Sequence, residues 1–186
     1  MTLDQIYQKC RSGDFPDKGT VHSYIEVYES ILAPYRETAL NILEIGILGG
    51  ASLKMWEQYF TGKVYGIDCT DQPLGGKFDL RPMIESGKHN IVIMDATNEE
   101  QIEKNFAGIK FDVIIDDGSH AVEHQLLSYF HFRKHLSLEG IYIIEDIQDI
   151  DNTRYAFETI DSKRTSLIVD RRHVKNRYDD VLAIIR

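Results

Sequence analysis

Cysteine, proline, long apolar runs and basic clusters are all scarce in this chain. Two cysteines, Cys10 and Cys69, in 186 residues are too few for a disulfide framework or a metal knuckle. They read as reduced thiols of an intracellular protein. With only four prolines and no Gly/Ser/Pro-rich tract, no linker is visible. The expectation is a single domain over residues 1–186. No apolar run approaches the roughly 18 residues of a membrane span. The opening MTLDQIYQKC has no basic stretch followed by an apolar one, so no signal peptide is expected either. Lys plus Arg number 21 against 30 Asp plus Glu, a net charge of −9. An acidic chain without a basic block suits neither a phosphate backbone nor an anionic membrane surface. The expected location is the cytoplasm, with no nucleic-acid or membrane partner.

What is present is globular in composition: 42% apolar and 27% charged residues. The first forty residues read as helical. Leu3, Ile6, Tyr7 and Cys10 recur at helical spacing, as do Tyr24, Val27, Tyr28, Ile31 and Leu32. Between them RSGDFPDKGT reads as a turn. From residue 41 short Ile/Val-rich runs alternate with longer amphipathic ones. Asn41–Gly46, Lys63–Asp68, Asn90–Met94, Phe111–Asp116 and Gly140–Glu145 read as buried parallel strands, spaced by about one crossover helix each. Leu53, Trp56, Tyr59 and Phe60 form one helix face. Thr97 with Glu100 suggests a capping box. Leu126, Leu127 and Phe130 suggest another apolar face. A helix over Arg154–Ile160 and strands Thr165–Asp170 and Val181–Ile185 follow, the last pair closing an antiparallel edge. The fold class is therefore α/β: a Rossmann-like, doubly wound, mostly parallel seven-stranded sheet, covered at residues 1–40 by a helical segment. DKGTVHSY is unusually polar between two apolar helices and is expected to pack over the ligand site.

Ligands of such sheets bind at the carboxyl ends of the strands. The first tip reads Glu44-Ile45-Gly46-Ile47-Leu48-Gly49-Gly50-Ala51-Ser52, a glycine turn that lacks the full GxGxxG fingerprint. Asp68 ends the second strand, where a carboxylate can accept both hydroxyls of a ribose. Asp95 follows the third, within reach of an adenine amino group, and Thr97 reads as a helix cap. Together these outline an adenosine-shaped site. The fourth and fifth tips carry Asp116-Asp117-Gly118-Ser119-His120 and Glu145-Asp146. Carboxylates on neighbouring strands repel unless a cation intervenes, and their hard oxygens suit Mg²⁺, Mn²⁺ or Ca²⁺. Strand alternation implies that Asp116 and Asp117 do not both face the site. His120 to His124 also spells HxxEH, but after a strand of a nucleotide-type sheet this is not read as a zinc peptidase; His124 reads as structural, and His131 and His135 as surface residues.

These motifs resemble those of class I S-adenosylmethionine-dependent methyltransferases. More narrowly, the chain is similar to the metal-dependent sugar O-methyltransferases of macrolide biosynthesis and their cephalosporin-hydroxylase-like relatives. The likeness runs through DKG (Asp17–Gly19), HSY (His22–Tyr24), LEIGILGGAS (Leu43–Ser52), YGID (Tyr65–Asp68), IIDDGSH (Ile114–His120) and IIED (Ile143–Asp146). It implies Mg²⁺ (or Mn²⁺) on Asp117, Glu145 and Asp146, and His120 as general base. The methyl donor would lie against Glu44, Gly46, Gly49, Ser52, Asp68 and Asp95. The expected acceptor is a hydroxyl of a sugar or glycosylated small molecule. The macrolide enzymes carry a large N-terminal auxiliary domain with no counterpart in this sequence, which leaves the acceptor and any homo-oligomer open. Two rivals stay open on residues alone: an NAD-type oxidoreductase, which has less use for the four acids, and a non-catalytic adenosine- or metal-binding module.

Overall fold

The computed structural model describes residues 1–10, 16–73 and 78–186. Its elements run α1 (Leu3–Cys10), α2 (Ile25–Leu32), β1 (Asn41–Ile45), α3 (Ala51–Tyr59), β2 (Lys63–Asp68), α4 (Arg81–Ser86), β3 (Asn90–Ile93), α5 (Glu99–Phe106), β4 (Phe111–Asp116), α6 (Val122–Phe132), β5 (Leu136–Ile144), α7 (Ile150–Glu158), β6 (Ser166–Asp170), α8 (Arg172–Lys175) and β7 (Val181–Ile185). The seven strands form one sheet in the order β3-β2-β1-β4-β5-β7-β6. β1 to β5 pair in parallel, whereas β7 pairs antiparallel with both β5 and β6. This is the doubly wound, Rossmann-like sheet expected from the strand runs, with its antiparallel edge. Among the described residues no helix is long and apolar enough to cross a membrane.

Strand alternation sorts the core into two layers. Ile42, Val113, Ile115, Ile141, Ile143, Leu182 and Ile184 pack on one face against α1, α2 and α3. Leu43, Ile45, Ile114, Tyr142, Ile144, Ala183 and Ile185 pack on the other with residues of α5, α6 and α7. Both faces being covered explains why the strands read as continuous apolar runs. Leu3, Ile6, Tyr24, Tyr28 and Leu32 of the N-terminal helical region are fully buried. That region is therefore built into the first layer.

Several local expectations are corrected. β5 begins at Leu136, not Gly140, because Leu136 pairs with Phe111 before a register shift ahead of Val113. α7 starts at Ile150, ahead of Arg154. The α5 cap is Asn98, whose side chain accepts the N–H of Gln101 at 3.1 Å; the Thr97 hydroxyl is diverted to Asp95 at 2.7 Å. On α6, Leu127 and Phe130 are exposed, and the buried stripe is Gln125, Ser128, Tyr129 and Phe132. His135, expected at the surface, is buried beside Phe132. The turn expected over residues 11–20 lies partly outside the described residues. From Asp17 it forms a short 3₁₀ turn, Asp17–Gly19.

Candidate active site

A cleft of about 680 Å³ opens at the carboxyl ends of β1, β2, β3 and β4. Gly46, Gly49, Ser52, Asp68, Asp95, Asp117, His120 and Asp146 all line it, so the structure unites most of the residues singled out in the sequence. Glu44 and Glu145 are set apart from them.

The β1 turn is shaped by close approach. Gly46 has φ of +80°, and a Cβ there would sit 2.2 Å from the carbonyl oxygen of Asp117. Only glycine fits between the two tips. The second left-handed glycine is Gly50 at the start of α3, not Gly49. Across the cleft Asp68 Oδ2 accepts the N–H groups of Ile47 at 3.1 Å and Leu48 at 2.9 Å. Asp68 thus braces the glycine loop while bordering the cleft. Asp95 Oδ1 accepts both the N–H and the hydroxyl of Thr97, and these bonds hold its carboxyl below the usual range.

The acid at the end of β4 and the one just after it turn to opposite layers, as alternation requires. Asp116 turns into the second layer, where Oδ2 accepts the Tyr142 hydroxyl at 3.0 Å; burial pushes its carboxyl up to about 7. Asp117 turns the other way, onto Lys18. The Lys18 side chain is fully buried, with Nζ 2.6 Å from Glu145 Oε1, 2.8 Å from Asp117 Oδ2 and 3.6 Å from Glu44 Oε1. Burial alone would lower the Lys18 ammonium, but the charges of Asp117, Glu145 and Glu44 outweigh it and hold it well above its ordinary value.

Glu44, expected at the cofactor, faces the first layer with Ile42. It accepts the Trp56 indole N–H at 2.9 Å, and burial pushes it up to about 7 against the pull of Lys18. The Glu145 Oε1 atom also accepts the Tyr28 hydroxyl at 2.5 Å. Burial, then the charge of Asp117, push Glu145 up.

Asp146 accepts the Tyr24 hydroxyl at 2.6 Å and lies 3.1 Å from His22 Nδ1. Burial, followed by the charge of Asp117, raises its carboxyl to about 8. One ligand atom each from Asp117, His120 and Asp146 fall within 4.8 Å of one another. His120 Nδ1 is buried with no hydrogen-bond partner among the described residues. Leu48, His120 and Asp146 have φ of 48°, 57° and 54°. Such backbone costs on the order of 1–2 kcal/mol per non-glycine residue, and all three line the cleft. A hard oxygen pair beside an unpartnered imidazole is a donor set that fits a divalent cation. His124, at the cleft rim, lies 2.8 Å from Ser119 Oγ through Nδ1.

Sequence reasoning missed Lys18, Tyr24, Tyr28, Gln125 and Tyr142. The signal for Lys18 and Tyr24 was the polarity of DKGTVHSY between two apolar helices. Tyr28 lies beyond that segment on α2, where its spacing marked it only as part of an apolar face.

No family model matches the chain. It is 32% identical over 141 residues to the 8-demethyl-8-alpha-L-rhamnosyl tetracenomycin-C 2'-O-methyltransferase of Streptomyces olivaceus, covering 71% of this chain and 35% of that one. It is 37% identical over 136 residues to the L-olivosyl-oleandolide 3-O-methyltransferase of Streptomyces antibioticus, covering 69% and 33%. The chain therefore spans about a third of the length of the sugar O-methyltransferases it matches. Among solved structures, the MycE methyltransferase of the mycinamycin pathway in complex with Mg, SAH and mycinamycin VI superposes with a TM-score of 0.72. Its identity is 20%, over 100% of this chain and 54% of that one. An O-methyltransferase from Bacillus cereus in complex with SAH gives 0.66 at 16% identity, over 99% and 90%. The chain has the class I methyltransferase fold, and in sequence it resembles the O-methyltransferases that act on sugar-bearing natural products.

Proposed function

We propose that the chain is an S-adenosylmethionine- and divalent-cation-dependent O-methyltransferase, acting on a hydroxyl of a sugar or glycosylated small molecule. The observation that carries this is the single cleft joining Gly46, Asp68 and Asp95 to Asp117, His120 and Asp146. Its first half suits an adenosine-bearing methyl donor. The second half suits a hydroxyl acceptor and a cation. The named relatives methylate sugar hydroxyls, which supports a sugar as acceptor.

Asp117 and Asp146 border the cleft and would hold Mg²⁺ or Mn²⁺ with His120 beside them. Glu145, the third acid of the set, lies behind them on Lys18 and Tyr28 and would complete the site only by turning from those partners. When bound, such a cation lowers the pKa of a hydroxyl by several units. Asp68 orients the ribose and keeps the glycine loop closed against it. The Gly46 turn lets the donor approach the backbone, and Asp95 borders the adenine end. The His120 imidazole removes the acceptor proton as the oxygen attacks the sulfonium methyl; an imidazole is suited to this near neutral pH. Much of the remaining rate comes from holding donor and acceptor in line. The 186 residues act as one unit, with residues 1–40 as the cover over residues 41–186.

The test is transfer of labelled methyl from S-adenosylmethionine to a panel of glycosides and nucleotide sugars, with Mg²⁺ and with EDTA. Label on a glycoside only in Mg²⁺ is expected. Transfer undiminished in EDTA would remove the cation from the reading. Cofactor-like binding of NAD in place of S-adenosylhomocysteine would favour the oxidoreductase rival.

A further inference from the structure

Lys18 lies in the polar segment before α2, 99 residues from Asp117 and 127 from Glu145 in sequence, yet its ammonium sits at the centre of their carboxylates. Its side chain has no solvent exposure. Its hydrogen bonds go to Asp117 Oδ2 at 2.8 Å and Glu145 Oε1 at 2.6 Å, with Glu44 Oε1 at 3.6 Å. A buried ammonium is costly unless opposite charges surround it, and buried carboxylates are costly unless a cation meets them. Each solves the other's problem here.

We propose that Lys18 is a resident counter-cation of the acid cluster: it holds Asp117 and Glu145 in place before any divalent ion arrives, and its fixed charge sets how tightly such an ion binds. The second half rests on the divalent-cation reading above; the first half does not. Two consequences separate this from a merely space-filling role. Removing the charge but not the length, as in Lys18→Met, leaves the acids facing one another without a cation. It also removes the positive charge a divalent ion must approach. Stability and metal affinity should therefore move in opposite directions, whereas loosened packing would lower both.

The experiment uses the full chain. Melting temperature in EDTA is measured for wild type, Lys18→Met and the double variant Lys18→Met/Glu145→Gln, and Mn²⁺ affinity at pH 8 is measured by titration. Lys18→Met is expected to lower the melting temperature by about 10 °C in EDTA, since breaking a buried pair is strongly destabilising. The double variant, which removes one charge of each sign, should melt above Lys18→Met. Mn²⁺ should bind Lys18→Met tighter by on the order of 10- to 100-fold. If Lys18→Met does not fold alone, a folded double variant supports the proposal and an unfolded one overturns it. Equal melting of wild type and Lys18→Met, or a double variant melting below the single, overturns the counter-cation. Unchanged or weaker Mn²⁺ binding overturns the control of affinity. No Mn²⁺ binding by wild type would remove the cation reading, and the EDTA melts would then decide the role of Lys18 alone.

Discussion

Asp68 Oδ2 accepts the backbone N–H groups of Ile47 and Leu48, so the acid at the β2 tip and the glycine loop of β1 are one structural unit. Asp68→Ala is expected to weaken S-adenosylhomocysteine binding through two losses, a ribose acceptor and the loop's brace. At a ligand concentration 100 times the dissociation constant, wild type should gain about 2.7 kcal/mol of stability. Most of that gain should vanish in the variant, as read by thermal melts with and without ligand.

Gly46 has no room for a side chain. At φ of +80°, its added Cβ would meet the Asp117 carbonyl oxygen at 2.2 Å. Gly46→Ala should destabilise the fold by roughly 2–4 kcal/mol, from strain at a special backbone conformation plus overpacking. Urea denaturation checks the value; a variant as stable as wild type would show that the β1 and β4 tips can separate freely.

Asp116, like Glu44 and Asp146, is a source of pH dependence. Burial disfavours its charge and pushes its carboxyl up to about 7, well above the ordinary aspartate range. The folded state then holds the proton more tightly. Its stability contribution is intact below about pH 4 and is lost as pH rises through 7. Asp116→Asn keeps an acceptor for Tyr142 and carries no charge. It should stabilise the protein at pH 8 by roughly 2–4 kcal/mol and change little near pH 4. Melts of both proteins across that range in EDTA measure this.

His120→Ala should lower the methyl-transfer rate by roughly 10²–10⁴, the usual range for losing a general base. Binding of S-adenosylhomocysteine should be retained, because the cofactor end of the cleft is formed by the β1, β2 and β3 tips. Partial recovery of rate at higher pH, followed with labelled donor, would identify the loss as proton removal.

The sheet was legible because its strands are Ile/Val runs buried on both faces, such as Phe111–Asp116 and Lys63–Asp68, which match their observed bounds. The tip residues were legible for the same reason: once a strand is placed, its next residue lies at the cleft. The inner face of α6 was not, since Gln125 and Ser128 turn inward at the cleft while Leu127 and Phe130 remain outside. Glu44 was misplaced because alternation along β1 carries it under Trp56, away from the tip. The contact of Lys18 with Glu145 spans 127 residues, and no local periodicity announces a contact of that range.

The central claim is that the cleft takes an adenosine-bearing methyl donor, and calorimetric titration with S-adenosylhomocysteine measures it without needing the acceptor. One-to-one binding, largely lost in Asp68→Ala and retained in His120→Ala, is the expected result. No heat at millimolar S-adenosylhomocysteine, with a folded protein in the cell, would contradict it.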